Sequence, residues 1–257
     1  MMLTTLLILF VTGILCGVMN ALAGGGTFIA FPVLIFLGLP PISANATATV
    51  GVWPGTLATM FAYRRELALH VRRLPMEALL VLIGSAVGAI IVLHISNPAF
   101  IHLVPYLLLM ATLLFTFRNQ IVMSMRLVPG TKPSLLYMSA CIAFLMLIAL
   151  YGGFFGAGMG ILLLAYLGMS GMHHMHEMNA VRSTLGLASG TISLVIFAFS
   201  GVVGWLHALA LGLGAMSGGY LGAYYARRLP QAWSRNCVIA IGWGMTLYFF
   251  WKTWKTL

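Results

Sequence analysis

Displaced by 134 positions, the chain falls on itself: Gly24 meets Gly158, Gly26 meets Gly160, Asn45 meets Asn179, Gly84 meets Gly218 and Gly88 meets Gly222. Two copies of one unit are fused, which confines the chain to folds with internal pseudo-symmetry. The basic residues break the match. The loop after the third apolar segment of the first copy holds Arg64, Arg65, Arg72 and Arg73, whereas its counterpart near Ser200 to Gly204 holds none. The loop after the fourth segment, Ser96 to Pro98, has no Lys or Arg, whereas its counterpart holds Arg227, Arg228 and Arg235. Arg118, Arg126 and Lys132 fall between the copies. If basic loops stay in the cytoplasm, the two copies cross a membrane in opposite directions, the arrangement of inverted-repeat transporters. Both termini are then expected outside. Lys252 and Lys255 argue the other way, but they are few against the loop residues.

A membrane is the solvent that composition demands. With 61% hydrophobic and 6% charged residues and a mean hydropathy of +1.05, the chain has too little polar surface to coat a water-soluble globule of its length. Several apolar runs reach the roughly 20 residues that span a bilayer. The net charge of +10 resides mainly in loops, so it reads as topology and not as a nucleic-acid footprint. Cys16, Cys141 and Cys237 are isolated, which gives no support for a disulfide or redox role. The apolar start, without a basic leader or cleavage site, predicts a retained first helix. The expected fold is all-α and polytopic, with two inverted repeats of five segments each, the first over residues 1–123 and the second over 134–257. A cytoplasmic linker, 124–133, joins them.

The second segment of each copy is short, about 27 to 38 and 159 to 170. A helix of 12 residues rises only about 18 Å against a hydrocarbon thickness near 30 Å. Two arrangements give the odd number of crossings that inversion requires. Either all five segments cross, or the second and third form a re-entrant hairpin; the hairpin is favoured, with its tip marking the solute path. Gly24, Gly25, Gly26 and Thr27 precede the first short segment, and Gly158 and Gly160 flank the start of its repeat. Such glycines permit a tight turn and leave helix N–H groups facing an anion, or else serve close helix packing.

Beyond each short segment lies a polar stretch, with Asn45, Thr47 and Thr49 in the first copy and Asn179, Ser183 and Thr184 in the second. These side chains can cap a helix or donate to an oxyanion. Arg182 stands apart because an apolar helix flanks it, and an arginine inside a membrane protein faces a cavity or a partner. Its guanidinium suits bidentate contact with sulfonate, sulfite or carboxylate oxygens; interfacial snorkelling, with Glu177 or Glu66 as a partner, is the plainer reading. His173, His174, His176 and Glu177 form a rival motif. They could be a solvated loop, a proton relay through His176 and Glu177, or a transition-metal site built from His173, His174 and His176.

With these residues the chain resembles the TauE/SafE family of membrane transporters, known for export of sulfite and organosulfonates. The resemblance rests on Gly24 to Thr27 followed by Pro32, on Ala44 to Thr49, and on their echo from Gly152 to Gly160 and Asn179 to Thr184. It covers essentially the whole chain. Tyr166 stands where the second repeat usually has its proline, and Met159 interrupts a glycine triplet. The resemblance implies a secondary transporter that moves a small anion outward across a bacterial inner membrane by alternating access. The alternative is a metal-ion permease using the histidine loop. No nucleotide-binding signature and no catalytic triad are present, so neither cofactor nor enzymatic activity is expected. The expected partners are the anion, the lipid bilayer and, as an open possibility, a second copy of the chain.

Overall fold

The computed structural model describes residues 2–67, 74–117, 120, 121, 123, 134–172, 174–225, 239, 240 and 242–251. The linker 124–133, His70, His173, Cys237, and every Lys or Arg named above except Arg64, Arg65 and Arg182 lie outside them. The chain is all-α. Its helices are α1 (Met2–Ala23), α2 (Gly26–Phe36), α3 (Pro41–Ala62), α4 (Arg64–Leu67), α5 (Leu74–His94), α6 (Asn97–Thr116), α7 (Leu135–Phe154), α8 (Met159–Met169), α9 (Met175–Ser200) and α10 (Trp205–Tyr225). Residues 242–251 are also helical.

Local chemistry explains several boundaries. Ser96 and Ser134 cap α6 and α7 by accepting from Ala99 N–H at 3.4 Å and Tyr137 N–H at 3.2 Å. Pro41 opens α3, where its missing N–H costs nothing. The helix therefore begins ahead of Asn45 and Thr47. α9 likewise begins at Met175, with His174 at its cap position. Asn45, Thr47, Asn179 and Ser183 thus sit inside helices, which excludes the capping alternative for them.

Helices α1, α5, α6, α7 and α9 are long and apolar enough to cross a membrane. α3 and α10, of 22 and 21 residues, match them in length but are diluted by Thr, Asn and Gly. Outward-facing Leu79, Ile83, Leu136, Leu147, Leu209 and Phe199 form an apolar surface suited to hydrocarbon. The protein is an integral membrane protein.

The two copies interlock. α1 packs on α10 and α5 on α7, so that each of these contacts joins the halves. At Gly218 the backbone of α10 lies against Ile14, and at Gly88 that of α5 lies against Leu150, with no room for a Cβ at either crossing. The matched helices α3 and α9 run antiparallel. Ser43 near the start of α3 donates to Val202 O beyond the end of α9, Trp53 meets Thr191 midway, and Tyr63 past the end of α3 clusters with Ala180 near the start of α9. Thr112 and Thr246, 134 positions apart, approach each other to 3.2 Å.

The short helices follow from this frame. Each has 11 residues and a rise of about 16 Å. α2 starts at Gly26 against Val52, midway along α3, and ends where α3 begins. α8 starts near Ser189, midway along α9, and ends where α9 begins. Because α3 and α9 are antiparallel, α2 and α8 run from the centre toward opposite faces. Phe31 of α2 packs edge-on against Phe155 at 5.3 Å and against Phe100 at 6.3 Å, which fixes the back of the short helix.

Candidate anion site between two half-length helices

The starts of α2 and α8 meet at the centre. Gly24, just before α2, has φ +76°, and a Cβ there would lie 2.8 Å from Gly160 Cα and would fall on Arg182 Nη1. Only glycine allows this turn, this backbone approach and the guanidinium to coexist. Gly25 and Gly158 occupy the two cap positions, so neither helix start carries a side-chain cap. Both helices direct the positive ends of their dipoles at the same region.

A cavity opens there, enclosing about 650 Å³ with its open mouth included. Gly24, Thr27, Gly156, Met159, Gly160 and Leu163 line it from the two short helices and their turns. Thr49, Val52, Trp53 and Thr56 come from α3, Asn20 from α1, Gly152 from α7, and Arg182, Ser183, Gly186, Ser189 and Gly190 from α9. Arg182 is the one ionisable side chain among these. It is 3% exposed, and its Nη2 donates to Asn20 O at 3.2 Å and Ala21 O at 3.3 Å. These are late carbonyls of α1, so the guanidinium caps one helix end while its other edge borders the cavity.

Of the residues singled out from sequence, the fold gathers Gly24, Thr27, Thr49, Gly160, Arg182 and Ser183 around the cavity. The hydroxyls of Thr49 and Ser183, matched across the repeat, turn to the carbonyls of Asn45 at 3.0 Å and Asn179 at 2.7 Å. The others lie elsewhere. Gly26 packs against Cys16 O and Val52. Asn45 Nδ2 donates to Phe154 O at 2.9 Å, and Thr47 Oγ1 accepts from Gly204 N–H at 2.9 Å, both tying α3 to the second copy. Asn179 is buried with no partner for Oδ1, and Thr184 donates to Ala180 O at 3.0 Å within its own helix. His174 is exposed and Glu177 half-buried in the first turn of α9. His173 and the side chain of His176 are outside the described residues. Among the described residues, no three His, Cys, Asp or Glu side chains come together as metal ligands.

Sequence reasoning missed Asn20, Trp53, Thr56 and Ser189. Asn20 Nδ2 donates to Thr56 Oγ1 at 2.6 Å, and Trp53 Nε1 donates to Thr191 Oγ1 at 2.9 Å. Each is a polar atom inside a long apolar run, which was the available signal. The assembled site is a small, polar, cationic chamber with no acid among the described residues of its wall. It suits an anion held by Arg182 and two helix starts.

The family model for the sulfite exporter TauE/SafE matches residues 9–249. A probable membrane transporter protein of Haemophilus influenzae is 27% identical over 94% of this chain and 92% of its own length. Another from Sinorhizobium is 27% identical over 85% and 82%, and YfcA of Escherichia coli K12, also named a probable membrane transporter protein, is 26% identical over 86% and 79%. No solved structure matches. An all-helical, membrane-embedded chain matched over nearly its whole length in this way is a membrane transporter, and it belongs to the TauE/SafE family.

Proposed function

We propose that the protein is a secondary transporter for a small oxyanion, with sulfite and organosulfonates as the class to test first, and that it carries the anion outward by alternating access. The observation that carries this reading is the convergence of Arg182 with the uncapped starts of α2 and α8 in one chamber. An anion there gains a charge-assisted contact and two helix dipoles. The antiparallel relation of α3 and α9 supports inverted repeats, whose exchange of conformation would expose the chamber to one face and then the other. The family's name supports the substrate class and the outward direction.

The cytoplasmic face would be the one bearing Arg64, with both termini outside and the bacterial inner membrane as the setting. Cysteines placed at positions 68 and 98 should then label from inside and outside respectively; labelling from one side alone would overturn this topology. For transport, Arg182→Ala in proteoliposomes should lower sulfite or sulfonate flux at least about tenfold, the order expected for removing a charge-assisted contact. Arg182→Lys, which keeps the charge and loses the fork, should fall between. Unchanged flux in a correctly inserted Arg182→Ala protein would remove the residue from the site.

A further inference from the structure

The chain has only three acidic residues, and none of them is among the described residues of the chamber wall. Glu77 in the first turn of α5 is nevertheless only 9% exposed, on a stripe with Leu74, Val81 and Ser85 that faces the protein interior. Tyr166 of α8, 5% exposed, donates its hydroxyl to Glu77 Oε1 at 2.9 Å. The contact joins the two copies. It also lies on two routes to the chamber. Along α8, Tyr166 follows Met159 and Leu163 on one helix face, and both of those line the chamber. Along α5, Ser85 lies two turns beyond Glu77 and is 2.7 Å from Ser189, another chamber residue. Leu163 and Val81, both buried, follow Tyr166 and Glu77 on these faces in the direction of the chamber.

We propose that Glu77 is the proton-carrying group of the transport cycle and that Tyr166 positions it. Ionisable side chains inside membrane proteins are rare, face the bundle interior and mark ion or proton paths. A phenol suits this task because it can donate to a carboxylate and accept from a carboxylic acid, so the pair survives either protonation state. A lysine or arginine there would instead hold the carboxylate charged. The other titratable or charged groups on the elements packed around Glu77, among the described residues, are Tyr137, Cys141 and Tyr151 on α7 and Glu177 and Arg182 on α9. At the matched positions of the other copy stand Leu211 and Pro32, so this chemistry occurs once.

The inference rests on the anion reading above, and its test separates the two. Full-length protein in proteoliposomes would be loaded with a lumenal pH dye and given labelled methanesulfonate, a permanent anion, so that pH changes report coupled protons. Wild type should exchange methanesulfonate and move protons with its net flux. Glu77→Gln should keep exchange and lose the proton movement. Tyr166→Phe should keep both and shift the pH dependence of net flux. Proton movement preserved in Glu77→Gln, or wild-type anion flux with no pH change, would overturn the role of Glu77 and leave the anion site standing. Wild type that moves no methanesulfonate would overturn both. If Glu77→Gln fails to insert, an unchanged pH profile in Tyr166→Phe decides against the proposal.

Discussion

The two copies share a frame and differ in what they place on it. Each supplies a long helix, a tight glycine turn, a half-length helix and a long helix that crosses its counterpart. Yet Arg182 matches Ala48, Glu77 matches Leu211, and the touching hydroxyls of Ser85 and Ser189 match Gly219 and Gly55, whose backbones touch directly. The difference reflects cost. A pseudo-symmetric frame needs small residues and matched helix lengths in both copies, whereas a buried ionisable group is expensive wherever it stands. The small residues of the helix contacts recur in both copies, while these ionisable groups stand in single positions.

The sharpest way to break that comparison is at the turns. Gly24 and its match Gly158 both have positive φ, +76° and +81°. A Cβ at 24 would collide with the Arg182 guanidinium and Gly160, whereas one at 158 meets nothing nearer than Ala111 at 3.4 Å. Gly158→Ala should therefore cost only the left-handed penalty of about 1–2 kcal/mol. Gly24→Ala adds overpacking and should reach about 3–4 kcal/mol, with loss of anion flux. Unfolding midpoints in detergent measure both. Equal losses would mean that the close approach of the two helix starts does not constrain position 24.

A smaller effect is expected at the matched asparagines. Asn45 Nδ2 holds Phe154 O, the last residue of α7, while Asn179 Oδ1 is buried without a partner. Its counterpart acceptor, Asn20 O, is taken instead by Arg182. Asn45→Ala should cost about 1–3 kcal/mol by stranding a carbonyl, and Asn179→Ala less than about 1 kcal/mol, since it also removes an unsatisfied oxygen. A greater loss at Asn179 in the same unfolding assay would show that the two positions do equal structural work.

How much of this was legible beforehand follows from which contacts are local. Hydropathy and the 134-residue echo gave helical class, segment order and the shortness of α2 and α8, because these depend on runs along the chain. Arg182 stood out because a charge in an apolar run has few explanations. Residues such as Asn20, Trp53 and Ser189 did not, since they become polar wall only when α1, α3 and α9 of different copies meet. The tips misled in one respect: Asn45 and Thr47 resemble caps, but Pro40 and Pro41 had already started the helix, leaving those side chains to bond across copies. The Glu77–Tyr166 contact was invisible for the same reason, its partners lying on separate copies with no local pattern to join them.

The helix crossings offer the finest test of the comparison. Where α10 crosses α3, Gly219 and Gly55 touch backbone to backbone; where α5 crosses α9, the matched Ser85 and Ser189 hydroxyls face each other, and Ser85 Oγ is also 3.0 Å from Ala149 O. Hydroxyl pairs between membrane helices contribute little, about 0.6 kcal/mol on average, because each hydroxyl finds other acceptors when the helices part. Ser85→Ala should thus cost about 0.5–1 kcal/mol in the unfolding assay, and the double change with Ser189→Ala little more. Gly219→Ser should cost more than either, since its added atoms meet the Gly55 carbonyl. If instead Ser85→Ala leaves stability intact and slows flux, the serine pair belongs to the transport path between Glu77 and the chamber. The asymmetry of the two crossings would then be functional in origin, since Ser189 borders the chamber and Gly55 is not among its described lining residues.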